Sequence, residues 1–294
     1  MLKSQSSLEK ARLTSQPRLP EFTRPPLVEA VLTVQFEKVE RLKSVHAGLF
    51  WSRLRDAFPR FEHVEEHPLI EQAIELPSPG GYRPPGIRVE VVDTPGLPRL
   101  FFLTHDKTEL IQLQPDRLSH NWRKLGKQDQ YPRYERIRPI FQQELQLFEG
   151  FLADEKLGAL APAQCEIVYI NHIFSAEDRA SPLRPGDILK PWPHDYRGLA
   201  GTEMEDLSLN VRHLIHGPDG KFLGRLFVSM KPALRKSDGR PLHVLELIAR
   251  GKPLRPGLEG ALEFIDKGRE LLCLAFAEIT TKEMHKVWGR QNGD

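Results

Sequence analysis

The densest set of groups able to do chemistry runs from Asp116 to Arg123. Residues two apart on a strand share a face. Arg117, Ser119, Asn121 and Arg123, extended by Asp116, therefore line one side of a predicted strand, and Leu118, His120 and Trp122 the other. Two guanidiniums, a hydroxyl and an amide at that spacing suit a phosphate, a carboxylate or a base edge. The plainer reading is a solvated sheet face, or a buried network that orients the following helix, and it carries more weight. The stretch 115–140 holds seven basic residues against three acidic ones. Trp122, Tyr131 and Tyr134 interleave with them, and Arg133 follows Tyr131 by two. Basic charge with aromatics is the composition of a single-stranded nucleic-acid groove. Against it, Tyr134 also falls on a helical apolar stripe, and the charges spread over strand, loop and helix as on an ordinary solvated surface.

Asn171 and His172 lie in a run that is apolar on both faces. A buried Asn or His needs partners and can serve as a ligand or an acid/base, but more often it is a satisfied core group. Glu29 is one candidate partner. No nucleophile or metal-ligand spacing accompanies the pair, so no catalytic residue is assigned. His63-Val64-Glu65-Glu66-His67 fits the H-x-x-E-H pattern of inverted zinc peptidases. That chemistry needs a helix presenting both His on one face. Pro59 and Pro68 bracket the segment too closely for one, so no metal site is expected. His213 and His216 have no ligand spacing to the other histidines. There is no G-x-x-x-x-G-K-[ST], G-x-G-x-x-G or G-x-S-x-G, which speaks against a P-loop NTPase, a Rossmann dehydrogenase and an α/β-hydrolase. No cofactor is expected. Cys165 and Cys273 are too few for a disulfide framework or a four-ligand zinc site.

The elements that must position these residues are punctuated by proline, 25 in 294 residues. Proline is excluded from helix interiors and central strands, so regular elements belong in the windows between. Residues 1–26 carry four prolines and five basic residues against two acidic, and read as a mobile arm. With a formal net charge of +2 for the whole chain, the body is therefore slightly acidic. From Val28 to Phe36 apolar residues alternate, which predicts a strand; a helix follows over about 41–58. Apolar runs at 70–76, 87–93, 98–104 and 108–114 read as antiparallel strands, and Arg117–Arg123 as one more. Tyr134, Ile137, Phe141, Leu145, Phe148 and Leu152 predict a long helix that Pro139 should kink or displace. The second half repeats the plan. Cys165–Phe174 reads as a central strand, then come a Pro-rich loop and three alternating strands near 207–215, 222–230 and 242–250. A long helix opens near Pro256, and Thr280 with Glu283 reads as a capping box.

The expected fold is α+β, a curved antiparallel sheet packed on long helices in a pseudo-duplicated strand/helix/strands/helix plan. The organisation is an arm (1–26), an N-terminal half (27–160) and a C-terminal half (161–294) packed on the first.

Four segments also match a known pattern. They are Pro26-Leu27-Val28-Glu29-Ala30-Val31, Leu113–Arg123 with Tyr131–Glu135, Tyr169-Ile170-Asn171-His172-Ile173, and His285-Lys286-Val287-Trp288-Gly289. In these segments the chain resembles an uncharacterised, sporadically distributed bacterial protein family. The resemblance implies a bacterial cytoplasmic protein, an accessory or host-defence component, and brings no catalytic residue to carry over.

With no uninterrupted apolar stretch of membrane-spanning length and no apolar leader core, a membrane role is not expected. The leading expectation is a non-catalytic binding or regulatory protein that meets another protein through its long helices or sheet surface. Nucleic-acid binding by 115–140 is the alternative, and a small ligand held between sheet and helix the third. A homo-oligomer stays open.

Overall fold

The computed structural model describes residues 19–70, 75–76, 97–175, 183–193, 200–201, 204, 206–217 and 219–291. Among them the architecture is α+β, with an open antiparallel sheet of nine strands. In chain order the elements are β1 (Leu27–Phe36), α1 (Ser44–Ala57), β2 (Phe61–His67), β3 (Arg99–Thr104), β4 (Glu109–Gln114), β5 (Arg117–Arg123), α2 (Tyr134–Asp154), β6 (Pro162–Phe174), α3 (Pro185–Ile188), β7 (Leu209–His216), β8 (Phe222–Leu234), β9 (Pro241–Gly251), α4 (Gly257–Ile279) and α5 (Lys282–Trp288). Across the sheet the order is β2-β3-β4-β5-β1-β6-β9-β8-β7.

The duplicated plan is visible in that order. In each half the last strand returns to pair with the first, β5 on β1 and β9 on β6, and β1 joins β6 at the middle. The strands β1 and β6, rich in apolar residues, thus occupy the centre, where both neighbours are protein and no backbone edge meets water.

Alternation then sorts the side chains. Ala30, Leu32, Val34 and Phe36 are fully buried on the helix-covered face. The ring of Phe36 lies 5.6 Å from Phe148 of α2, and Phe50 of α1 packs on Phe148, Phe151 and Phe102. On the other half, a Cβ at Gly268 of α4 would stand 2.7 Å from Ile167 Cγ2 and 3.2 Å from Ala249 Cβ. Glycine is what lets that helix backbone approach β6 and β9. Asp266 of α4 accepts from Tyr134 Oη (2.5 Å) and Arg138 (3.1 Å) of α2, which ties the two long helices together.

Several boundaries differ from the sequence expectation. α2 begins at Tyr134 and runs without a break across Pro139, so the helix start is not displaced to the proline. The packing of its apolar stripe outweighs one missing hydrogen bond. Ile70, Glu75 and Leu76, read as part of a strand, belong to none. They hold side chains of the sheet by hydrogen bonds instead. The run 87–93 lies outside the described residues. The N-cap of α5 is Thr281, whose Oγ1 accepts from Met284 N, and not Thr280, which donates to Phe276 O. Residues 1–18 of the expected arm lie outside the described residues. Its last part is tethered, with Thr23 N and Arg24 N donating to Gly289 O and Trp288 O.

The chain divides into two compact units. The larger, 26–183 with 197–272, contains the whole sheet. The smaller comprises 1–25, 184–196 and 273–294. In the smaller unit Phe22, Phe276 and Trp288 cluster with ring centroids 5.0 to 6.2 Å apart. His285 fills the remaining side, 5.4 Å from Phe22, with its Nε2 2.8 Å from Thr280 Oγ1.

Candidate anion site on the polar sheet face

The sheet face opposite the helices is built from the other half of the alternation. Register places Gln114, Arg117, Gln35 and Gln164 in one row across β4, β5, β1 and β6. The next row reads Gln112, Ser119, Thr33, Glu166, Arg250 and Arg225. Most of these polar side chains are buried. A buried polar face has to be satisfied internally, and most of it is. Ser119 Oγ accepts from Thr33 Oγ1 at 2.9 Å. Asn121 donates to Glu29 Oε1 (2.7 Å) and accepts from Gln112 Nε2 (2.7 Å).

Two chain anchors sit on this face. Ile70 donates its N–H to Gln114 Oε1 (2.8 Å) and accepts from Gln114 Nε2 (3.1 Å). Glu75 donates its N–H to Gln164 Oε1 at 3.0 Å. The Glu75 carboxylate, 6 % exposed, takes Arg225 at 2.6 Å and Arg250 at 3.4 Å, and Arg250 also binds Glu166. This part of the face is a satisfied carboxylate–arginine network, the only economical way to bury such charges.

Arg117 differs. It is 7 % exposed, yet its Nε has no hydrogen-bond acceptor, and among the described residues no carboxylate lies within ion-pair distance of its guanidinium. Its row neighbours are the amides of Gln114 and Gln35, engaged with Ile70 and Asp116 and with Gln164. Burial pulls its pKa below the ordinary arginine value; Glu166 and Asp116 oppose that from a distance, while Arg250 and Arg99 add to it. Arg99, one row partner beyond Gln114, is also lowered by burial and has a buried, unpartnered Nε. A guanidinium cannot shed its proton near neutral pH, and burying one unpaired costs several kcal/mol. A planar fork of donors suits an anion with two acceptor oxygens.

The sequence-predicted residues divide between the two faces. Arg117, Ser119, Asn121 and Arg123 share the polar face, as the alternation requires. Arg123 stands at its end, donating from Nη2 to Lys107 O at 3.0 Å. Asp116 lies in the turn before β5 and accepts from Gln114 Nε2 at 3.2 Å. Trp122 is on the helix-covered side, 3 % exposed, with its ring 5.3 Å from Tyr131, whose hydroxyl is 3.1 Å from Tyr169 Oη. A buried indole offers no face to a base, so the basic and aromatic groups of 115–140 do not form one stacking groove. Arg133 is exposed at the N-cap of α2 with a left-handed φ of 72°. Asn171 donates to Leu245 O at 3.1 Å, so its partner is a backbone carbonyl and not Glu29, which belongs to Asn121. His172 is half-buried and lowered by burial and by the charge of Arg235. On β6 it shares the face of Gln164 and Glu166 but stands eight residues along the strand from Gln164, away from Arg117. His213 is exposed, because β7 is an outer strand.

Sequence reasoning missed Gln35, Gln114, Gln164 and Arg99, which define the surroundings of Arg117. Their signal was present as polar residues at alternate positions of otherwise apolar strands. It also missed a pair on the other face. His120 Nδ1 lies 2.9 and 3.0 Å from the two carboxylate oxygens of Glu144, both residues wholly buried, with His120 Nε2 unpartnered. A carboxylate-oriented imidazole resembles half of a catalytic triad. Enclosed between sheet and α2, this one meets no solvent, and it acts as a tie between β5 and α2.

No helix among the described residues is long and apolar enough to cross a membrane. No family model, no curated protein and no solved structure matches this chain.

Proposed function

We propose that this chain is a binding protein whose ligand is a small anion, a carboxylate or a phosphate, received by Arg117 on the polar face of the sheet. The observation that carries the reading is the buried guanidinium without an acceptor. Glu75, seated on Arg250 and Arg225 three and four strands from β5, is the internal precedent for a carboxylate on this face. The Ile70 and Glu75 anchors engage strands on either side of β5 and β1, at Gln114 and Gln164.

Calorimetric titration of the purified chain with inorganic phosphate, pyrophosphate, citrate and succinate tests this. A saturable one-to-one isotherm with at least one of them supports it. Heats no larger than dilution for every anion contradict it.

The expectation of a protein partner keeps one supporting observation. Among the described residues β7 pairs on one side only and exposes Leu214, so its outer edge can accept a partner strand. Proline substitution at Val211 would then abolish a cross-link to the partner.

A further inference from the structure

The outer edge of the sheet gathers a second set of groups whose chemistry is unrelated to Arg117. Between Phe61 and His63 the pairing of β2 with β3 is irregular. A bulge breaks the alternation and re-aims side chains. Here the consecutive residues Glu62 and His63 both reach His105, in the turn between β3 and β4. One ligand atom from each of the three lies within 4.8 Å of the other two. His105 Nδ1 is 3.2 Å from Glu62 Oε2, and the His63 and His105 rings are 6.0 Å apart at 34°.

The turn that carries His105 is well held. Asp106 Oδ1 accepts from Thr104 Oγ1 (2.7 Å), Thr108 N (3.0 Å) and Thr108 Oγ1 (2.9 Å). Lys107 N donates to Thr104 O at 2.9 Å. Lys107 itself points its ammonium to Glu65, at 3.0 Å, and not to Glu62.

We propose that Glu62, His63 and His105 bind one divalent transition-metal ion, with zinc the best fit. Two imidazoles and a carboxylate are the donor set that zinc accepts, and with three protein ligands the fourth position is left to solvent. Calcium and magnesium ask for oxygen donors only. The donors of a tetrahedral zinc site stand roughly 3.3 Å apart at bond lengths of about 2.0–2.1 Å. Small rotations of three exposed side chains therefore close the site. The ion would pin the outermost strand to the neighbouring turn, at the edge where a sheet is most prone to fray.

This ligand set is not the H-x-x-E-H pattern. On a strand His63 and His67 are separated by about 13 Å at 3.3 Å per residue, too far to share an ion. His67 instead stacks on Phe101, with centroids 4.0 Å apart, and meets Glu65.

Cobalt(II) titration of the purified full-length chain is the test, read by visible absorption. The proposal predicts one cobalt per chain with the intense bands of a four-coordinate site, displaced by zinc. His63→Asn and His105→Asn should each weaken binding at least about tenfold, while His216→Asn, at another exposed histidine, leaves it unchanged. Because the three side chains are exposed, the metal-free variants should keep the wild-type melting temperature. Undiminished cobalt binding by the His63→Asn/His105→Asn double variant would overturn the proposal. So would the pale spectrum of a six-coordinate ion with no saturation at one per chain.

Discussion

The guanidinium of Arg117 is buried with no carboxylate within ion-pair distance among the described residues, and single-residue chemistry follows from that. An apolar isostere removes a cost in the empty protein. Arg117→Met is expected to raise the stability of the ligand-free chain by about 1–4 kcal/mol, measured by urea unfolding. An ordinary paired arginine would give the opposite sign. His120 and Glu144 behave as such a pair. Glu144→Ala leaves a buried imidazole with no oriented partner and should cost about 3–5 kcal/mol, again by urea unfolding. His285 supplies the pH dependence. Burial, with Arg290 and Lys190 adding like charge, lowers its pKa from 6.5 to about 4. Between these values the unfolded chain holds a proton that the folded chain does not, so stability falls as pH drops from 6.5 toward about 4 and levels below it. His285→Asn should flatten that part of the stability–pH curve, and a slope as steep as wild type would refute the assignment. At this scale the sequence was legible only in part. Alternation told which of Arg117, Ser119, Asn121 and Arg123 share a face. It could not tell that Gln114 and Gln35 are engaged elsewhere, because their partners Ile70 and Gln164 come from separate segments.

At the scale of elements, α2 shows packing prevailing over a local rule. Pro139 is the sixth residue of the helix, where its missing N–H would have donated to Glu135 O. The buried stripe of Ile137, Phe141, Leu145 and Phe148 holds the helix regardless. Pro139→Ala restores a donor and should stabilise the chain by roughly 1–3 kcal/mol, seen as a higher melting temperature. No change would mean that the carbonyl is already satisfied in another way. The strands were the most legible elements, since period-two patterns in β1, β4, β5 and β9 leave little choice of face. In the run 70–76, whose apolar residues suggested a strand, the described residues Ile70, Glu75 and Leu76 act instead by hydrogen bonds with Gln114, Gln164 and Arg225. Nothing in its own composition distinguishes the two.

For the whole molecule, the duplicated order of the sheet places two apolar strands at the centre and gives one face to the helices. That leaves the opposite face to polar side chains from both halves, joined at β1 and β6. The pseudo-duplication was readable from the recurrence of strand, strands and helix, although no residue-level repeat exists to show it. The pairing of β1 with β6 was not readable, because antiparallel neighbours distant in sequence leave no local mark. The central claim is that Arg117 receives an anion on this shared face. The most direct measurement is the melting temperature of wild type and Arg117→Met, each with and without a saturating concentration of the anion that binds wild type. Wild type should melt higher with the anion, while Arg117→Met should start higher and gain nothing. An equal anion-induced rise in both proteins would contradict the account.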